Sequence, residues 1–309
     1  VRGFILAAGF GTRLRPLTDH VPKALVKVAG TPLLGHALYF FKEHGIQTIG
    51  VNTHYLPEQI EKYSSESEIA FVQFHEEGKI RGTGGALHFA RNFLVGDTTF
   101  VVANADIIAR YQLSDALQKF EQSDAICMLV AFPAIGGGTI FYDQSTGEYL
   151  GTPGGPLECM SKASADFIGT AFYRREFLGY VQPEDFSVVP IWLRAAQNGA
   201  KVIVHIISDG FWRDVGSPQA LLDIHCEIID GKITLPLPAN MLIDTAKKRC
   251  LHTSVKETEQ IGEYSWIESP HFPNSTCSSR VLCYADVKKI HETNLNNAIV
   301  TEWGVLPAS

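Results

Sequence analysis

From residue 2 to about residue 230 the chain alternates short apolar runs with stretches in which apolar residues recur every third or fourth position. Gly3-Phe4-Ile5-Leu6-Ala7-Ala8 predicts a first buried strand, and the runs at 48–52, 69–74, 100–103 and 125–132 predict further ones. Helical spacing lies between them at 57–63, 84–93 and 113–122. Thr31-Pro32 predicts a cap with proline at the first helical position, followed by Leu34, Ala37, Leu38 and Phe41 on one face. Ser217-Pro218 predicts another helix start in the same way. The alternation predicts an α/β fold: a doubly wound, mostly parallel sheet with helices on both faces. Glycine clusters at 136–138 and 151–155 bracket 139–149, predicting a hairpin or flap laid over the sheet's end and lining a cleft.

Beyond Leu235 the texture changes. Pro236, Pro238, Pro270 and Pro273 appear, helical periods fade, and short β-like pieces recur around Ile261-Gly262, Trp266-Ile267, Val281-Leu282-Cys283, Ala298-Ile299-Val300 and Val305-Leu306. They resemble a few turns of a degenerate hexapeptide solenoid of the left-handed β-helix type; an irregular β tail is the alternative. The expected division is a first domain over 1–232 and a β-rich region over 233–309.

The 309 residues carry 26 Lys+Arg against 33 Asp+Glu, a formal charge of −7. That balance argues against holding nucleic acid or an anionic membrane through the overall field, so any anion site must be local. The longest strongly apolar stretch, 125–135, is interrupted by Pro133 and is shorter than the roughly 20 residues of a spanning helix, so no membrane segment is expected. The apolar start leads straight into glycines and reads as a core strand rather than a signal peptide. Six scattered cysteines without C-x-x-C spacing predict reduced thiols and a cytoplasmic setting.

The chemistry-bearing segment begins where the first strand runs into Gly9 and Gly11. Backbone without side chains can close on an anion or a flat base there. A dinucleotide-binding fingerprint would need a third glycine where Leu14 stands, and a Walker A loop would need Gly-Lys-Ser/Thr; both are lacking. Instead the loop carries Arg13, Arg15 and Lys23, with Pro16 and Pro22 limiting its freedom, a set of cations suited to a polyphosphate. A solvated basic loop is the plainer alternative. A second glycine-rich loop, 77–86, leads into a helix whose N-terminus favours an electron-rich partner.

The segment Ala7-Ala8-Gly9-Phe10-Gly11-Thr12-Arg13-Leu14-Arg15-Pro16-Leu17-Thr18, followed by Pro22-Lys23, resembles the signature of the sugar-1-phosphate nucleotidyltransferases at every fixed position. The resemblance spans about residues 2 to 230 and is nearest to the N-acetylmuramate-1-phosphate uridylyltransferases and mannose-1-phosphate guanylyltransferases. It implies a Rossmann-like nucleotidyltransferase fold and transfer of a nucleotidyl group from a nucleoside triphosphate to a sugar 1-phosphate, releasing pyrophosphate. It further implies that Ala8, Gly9, Gly11, Thr12 and Arg13 hold the triphosphate, that Lys23 meets the phosphates near the reacting centre, and that Gly82, Thr83 and Gly85 meet the base and ribose. Arg81 departs from the family's usual apolar residue, and a helix-capping role for Thr83 stays open.

Two acids complete the implied machinery. Asp106 ends the apolar strand 100–103 after Asn104, at the strand end where α/β sheets bind ligands, and Asp214 stands between Trp212-Arg213 and Gly216. Either alone reads as a turn or cap residue; the family resemblance makes them the two Mg²⁺ ligands. Arg13, Lys23 and Asp106 are then the catalytic set. By position in the family, Gly138, Gly169 and Thr170 meet the sugar. Glu158 and Lys162 stand at the wrong spacing for the family's Glu-Lys pair, leaving Lys162 either a phosphate ligand or a solvated flap residue. A catalytically silent relative acting as a sugar-nucleotide sensor or assembly subunit is the alternative function. A homodimer through the C-terminal region is expected if that region is a solenoid, because its last coil would present unpaired edges.

Overall fold

A Cβ placed on Gly3 would stand 2.6 Å from the ring of Phe41 and 2.9 Å from Ile46. The first strand, β1 (Arg2–Leu6), therefore lies directly on helix α1 (Leu33–Glu43), with Phe4 and Ile5 fully buried. These contacts belong to a computed structural model that describes residues 1–154, 160–253, 261–263, 265–268, 276–284, 294–301 and 304–307. The chain divides into two compact units: Val1–Gly9 with His36–Trp212, and Phe10–Gly35 with Arg213–Ser309.

The first unit is built on one nine-stranded sheet. After β1 come β2 (Thr48–Thr53), β3 (Val72–His75), β4 (Thr99–Asn104), β5 (Cys127–Pro133), β6 (Ile140–Asp143), β7 (Tyr149–Gly151), β8 (Lys162–Arg174) and β9 (Val202–Ile206). The main path runs β7-β6-β8-β4-β1-β2-β3, with β5 joining β8 to β9. Pairings β1–β2, β1–β4, β2–β3 and β5–β9 are parallel, giving the doubly wound centre that the alternating pattern predicts. Beyond β4 the sheet is mixed: β8 runs against β4, β5 and β6, while β5 and β9 run parallel. Strand β1 lies between β2 and β4, so the strand order reverses there and opens a crevice at its carboxyl end.

Helices α2 (Pro57–Glu66), α3 (Gly82–Phe89), α4 (Arg91–Leu94), α5 (Leu113–Gln122) and α6 (Val189–Gln197) belong to this unit. The single helix expected over 84–93 is broken at Ala90 into α3 and α4. The third strand begins at Val72 rather than near residue 69. The segment 139–149 does form a hairpin, Tyr149 facing Tyr142, but β6 also pairs with β8. It extends the sheet's edge rather than lying across its end. A core of Phe4, Phe100, Leu129, Tyr173, Phe177 and Trp192 fills this unit, each such side chain contributing about 1.5–3 kcal/mol on burial.

In the second unit, Thr31-Pro32 is not a helix cap. It pairs with Lys27–Val28 as a tight hairpin whose turn residues, Ala29 and Gly30, have φ of 52° and 77°. Positive φ at both positions matches the turn that joins two-residue hairpins, and α1 begins only afterwards. Helix α7 (Pro218–Ile229) starts as the sequence predicts, with the Ser217 hydroxyl accepting from the Ala220 N–H at 3.2 Å. Strands β10 (Met241–Asp244), β11 (Arg249–His252), β12 (Ser265–Ile267), β13 (Thr276–Cys283), β14 (Asn294–Thr301) and β15 (Gly304–Pro307) form a second sheet. Its centre, β11 to β14, is parallel and stacks Cys250, Trp266, Leu282 and Ile299, all fully buried, one above the next. Successive members of that ladder lie about sixteen residues apart in the chain, the repeat of a stacked-coil arrangement.

Candidate active site

In the first unit the carboxyl end of β1 carries the front of the glycine loop. The Ala7 N–H donates to Asn52 Oδ1 at 2.7 Å, and the Leu6 carbonyl accepts from Ala105 N–H at 3.0 Å. The residue before Asp106 is thereby tied to β1, and Asp106 itself is half-buried. A Cβ at Gly9 would meet no described atom within 4 Å, so this stretch of backbone is open to approach, whereas Ala8 is buried.

The second glycine loop is held from below by the segment leading into α6. The Val188 N–H donates to Thr83 Oγ1 at 2.8 Å, and the Gly84 N–H donates to the Phe186 carbonyl at 2.9 Å. A Cβ on Gly82, whose φ is +68°, would stand 2.2 Å from that same carbonyl oxygen, and one on Gly84 would stand 2.9 Å from the Ser187 carbonyl. At Gly82 only glycine tolerates both the dihedral and the approach. The 185–188 segment is itself clamped: Asp185 accepts two hydrogen bonds at 2.8 Å from the Arg194 guanidinium and one at 2.7 Å from Gln182 N–H, and this pairing holds the Asp185 carboxyl below the usual carboxylate range. Thr83 thus serves as an anchor for α6 as well as a candidate ligand. The Arg81 side chain, where this sequence departs from the family pattern, lies over Phe89 with 4.5 Å between the guanidinium and the ring centre.

Beneath these loops is a cavity of about 220 Å³ lined by Leu6, Thr83, Asn104, Phe167, Gly169 and Trp192. Its floor is rigid, since the Trp192 indole N–H donates to the Tyr173 hydroxyl at 3.0 Å in the buried core. Gly169 occupies a left-handed conformation, φ +69°, at a bulge in the β8–β5 pairing, and a Cβ there would stand 2.9 Å from the Asn104 amide. Thr170, next in sequence, is 4% exposed and faces a separate, much smaller cavity with His36 and Ala103. The two neighbours therefore serve opposite faces of the sheet.

Gly138 stands at the start of the edge hairpin with φ +71°, where a Cβ would lie 2.8 Å from Ser164 and 3.0 Å from the Ala165 backbone. Lys162 is exposed at the first position of β8, its ammonium 5.0 Å from the centre of the Phe141 ring. Glu158 lies outside the described residues.

In the second unit the rest of the loop folds on itself. Gly11 adopts φ +65° and precedes a single turn, Thr12–Leu14; its carbonyl accepts from Thr18 Oγ1 and from Leu14 N–H, both at 2.8 Å. A Cβ on Gly11 would stand 2.9 Å from Lys23 Cβ, so the lysine stem lies against the glycine. Leu14, Leu17 and Ala24 anchor the loop, and Arg15 pairs with Asp19 at 3.0 Å. Arg13 Nη2 and Asp214 Oδ1 come to 2.3 and 2.7 Å from the point where a Gly216 Cβ would stand. The absence of a side chain at Gly216 is what admits that guanidinium beside the carboxylate. Arg213, next to Asp214, is engaged elsewhere, by Glu227 at 2.7 and 2.8 Å.

The structure thus groups Gly11 with Lys23 and Arg13 with Asp214 in one unit, and groups Thr83, Asn104 and Gly169 about one cavity in the other. Sequence reasoning passed over Asn52, Glu76, Asn104, Phe186 and Trp192. Asn52 and Asn104 share one legible signal, a polar amide at the carboxyl end of an otherwise apolar strand.

Residues 2–135 match the sequence pattern of the family described as "Nucleotidyl transferase". The N-acetylmuramate alpha-1-phosphate uridylyltransferase of Caulobacter vibrioides is 31% identical over 241 residues, covering 74% of this chain and 96% of that protein. The mannose-1-phosphate guanyltransferase of Schizosaccharomyces pombe is 29% identical over 235 residues, covering 73% of this chain but 64% of its own length. Among solved structures, HddC from Yersinia pseudotuberculosis complexed with GMP-PN superposes with a TM-score of 0.59 at 18% identity, covering 72% of this chain and 96% of that one. The inositol-1-phosphate CTP transferase from T. maritima gives 0.59 at 15% identity, with 71% and 90% covered. These two likenesses are of fold.

Proposed function

Because the chain belongs to the sugar-1-phosphate nucleotidyltransferase family, we propose that it carries uridylyl or guanylyl groups from a nucleoside triphosphate to a sugar 1-phosphate in a Mg²⁺-dependent in-line displacement. A phosphate oxygen of the sugar phosphate bonds to the α-phosphorus while the bond to the pyrophosphate oxygen breaks. The attacking oxygen is already ionised at neutral pH, so no general base is needed; the barrier is the mutual repulsion of two polyanions.

Arg13 and Lys23 meet that repulsion with fixed positive charge, stabilising the five-coordinate phosphorus and the departing pyrophosphate. Gly9 and Gly11 let the triphosphate approach the backbone, Gly82, Thr83 and Gly85 receive the base, and Gly138 and Gly169 receive the sugar. The observation that carries the reading is the packing of the Lys23 stem on Gly11, which fixes a cation on the glycine loop itself.

The donor chemistry fits magnesium. Among the described residues no group of three or more His, Cys, Asp or Glu side chains forms a metal cage, and two hard carboxylates suit an ion that keeps waters and substrate phosphates as its other ligands. Asp106 and Asp214 would hold it. When bound, the ion adds positive charge at the phosphate oxygens and a template that orders them.

No helix among the described residues is long and apolar enough to cross a membrane. A cytoplasmic enzyme that pairs through residues 233–309 belongs to the same reading, and light scattering at micromolar concentration would then return twice the mass of one chain. The decisive experiment crosses the common nucleoside triphosphates with glucose, mannose, N-acetylglucosamine and N-acetylmuramate 1-phosphates plus Mg²⁺ and measures pyrophosphate release. Turnover with one uridine or guanosine pair is the expected result. Nucleotide binding without release for any pair would overturn it in favour of a silent sensor.

A further inference from the structure

Glu76 follows β3 directly and is completely buried, its side chain shut away from water in a position where a carboxylate is costly to keep. Its surroundings explain how it is kept. The Asn52 amide Nδ2 donates to Glu76 Oε1 at 2.8 Å, and the Arg81 backbone N–H donates to Glu76 Oε2 at 2.7 Å. Asn52, 3% exposed, accepts in turn from the Ala7 N–H at 2.7 Å. The Glu76 backbone is fixed as well, its N–H donating to the Thr53 carbonyl at 2.8 Å and its carbonyl lying 2.7 Å from His54 Nδ1.

Every polarity in this relay is forced. The Ala7 N–H can only donate, so the oxygen of Asn52 must face it; the Asn52 NH₂ must then face Glu76; and the Arg81 N–H can only donate to the other Glu76 oxygen. Both carboxyl oxygens of Glu76 therefore accept. The two ends of the relay are the backbone two residues before Gly9 and the residue directly before Gly82. Three hydrogen bonds through two buried side chains therefore tie one glycine loop to the other.

We infer that Glu76 is a positioning residue for the nucleotide, acting through Asn52 and the Arg81 backbone to fix the spacing of the two loops. The inference rests on the reading of those loops as the nucleotide site. It separates Glu76 from the groups that act on the phosphates: losing it should weaken nucleotide binding while leaving chemistry and the sugar phosphate nearly alone.

The test is a charge exchange. Glu76→Gln puts an NH₂ opposite the Asn52 NH₂ or the Arg81 N–H, and Asn52→Asp puts two carboxylates face to face. The double variant Asn52→Asp/Glu76→Gln restores a donor to every acceptor: the amide introduced on the second loop donates to the carboxylate introduced on β2, which still accepts from the Ala7 N–H. With the best substrate pair, each single variant should raise the KM for the nucleoside triphosphate by about tenfold or more, with kcat and the KM for the sugar phosphate within about threefold of the parent. The double variant should return to within about threefold of the parent in all three. Parental nucleotide KM in the single variants, equal losses for both substrates, or a double variant no better than the worse single would each overturn the inference. If the single variants do not fold, a folded double variant with parental KM supports the relay and an unfolded one overturns it. Should the parent turn over no pair, the functional reading fails, and amide exchange then decides the relay. Exchange at both Ala7 and Arg81 should quicken about tenfold in Glu76→Gln and recover in the double variant; a change at Arg81 with none at Ala7 would overturn it.

Discussion

Gly11 and Lys23 are locked together: a Cβ on the glycine would stand 2.9 Å from the Cβ of the lysine, and the glycine's φ of +65° is one that other residues enter at a cost. Gly11→Ala should combine about 1–2 kcal/mol of backbone strain with displacement of the lysine stem. The expected outcome is a fall of at least about tenfold in kcat/KM for pyrophosphate release with a modest drop in Tm. Parental kinetics in this variant would show that the packing does not set the position of the ammonium group.

On the proposed function, Arg13→Ala and Lys23→Ala remove charge directed at the transferring phosphates. Each should lower kcat on the order of 10²–10³-fold, the usual loss for one group directed at developing charge. Steady-state assays that keep either variant within about tenfold of the parent would refute its assignment.

The carboxylates make a separate prediction. Asp106→Asn and Asp214→Asn should each raise the Mg²⁺ concentration needed for half-maximal activity, and chelation with EDTA should abolish turnover in the parent. A metal titration whose midpoint is unmoved in both variants would remove them as ligands.

Thr83 offers a stability test with a built-in control. Thr83→Val deletes the acceptor for the Val188 N–H and should cost about 1–3 kcal/mol in urea unfolding, whereas Thr83→Ser keeps the hydroxyl and should stay closer to the parent. Equal losses in the two variants would mean that the methyl group, not the hydrogen bond, holds the start of α6.

His205, on β9, has its imidazole pushed down to about 4, by burial first and the Lys119 charge second. The neutral ring is favoured in the folded state. Its contribution is therefore complete above the ordinary value of about 6.5 and is lost as pH falls from there towards 4. Allowing for its partial exposure, the loss is on the order of 2 kcal/mol. Urea midpoints at pH 7 and pH 4.5 should differ more for the parent than for His205→Gln, and an unchanged difference would exclude this residue as a source of acid sensitivity.

The sequence made some of this legible and not the rest, for physical reasons. The sheet was readable because β1, β4 and β5 carry nearly continuous apolar runs and β2 keeps Ile49, Gly50 and Val51 together between polar residues. Gly11 and Lys23 were readable because a loop that needs positive φ and fixed charge admits few residue types. The hairpin at 27–32 was not, since Thr-Pro before an apolar period also describes a helix start, and an alanine at φ 52° is a choice that only the tertiary setting enforces. Glu76 and Asn52 look like ordinary strand-end polar residues; their meaning lies in partners 24 residues apart for one hydrogen bond and 45 for the next. Thr170 shows the finer limit: beside the bulge at Gly169 it faces a separate small cavity with His36, and which of the two neighbours lines the larger cavity depends on the sheet's packing rather than on spacing along the strand.

Strand β8 carries one more consequence. Thirteen residues long, it starts at Lys162 beside the edge hairpin, passes the bulge at Gly169, and ends at Arg174, whose guanidinium grips the Phe120, Glu121 and Ser123 carbonyls at the end of α5. With its far end so moored, the strand cannot slide: a slip of one residue would swap all its side chains between the two faces. Insertions and deletions should therefore be rejected along the strand, because Phe167, Gly169, Ala171 and Tyr173 all line the cavity and a shift in register would turn them away from it.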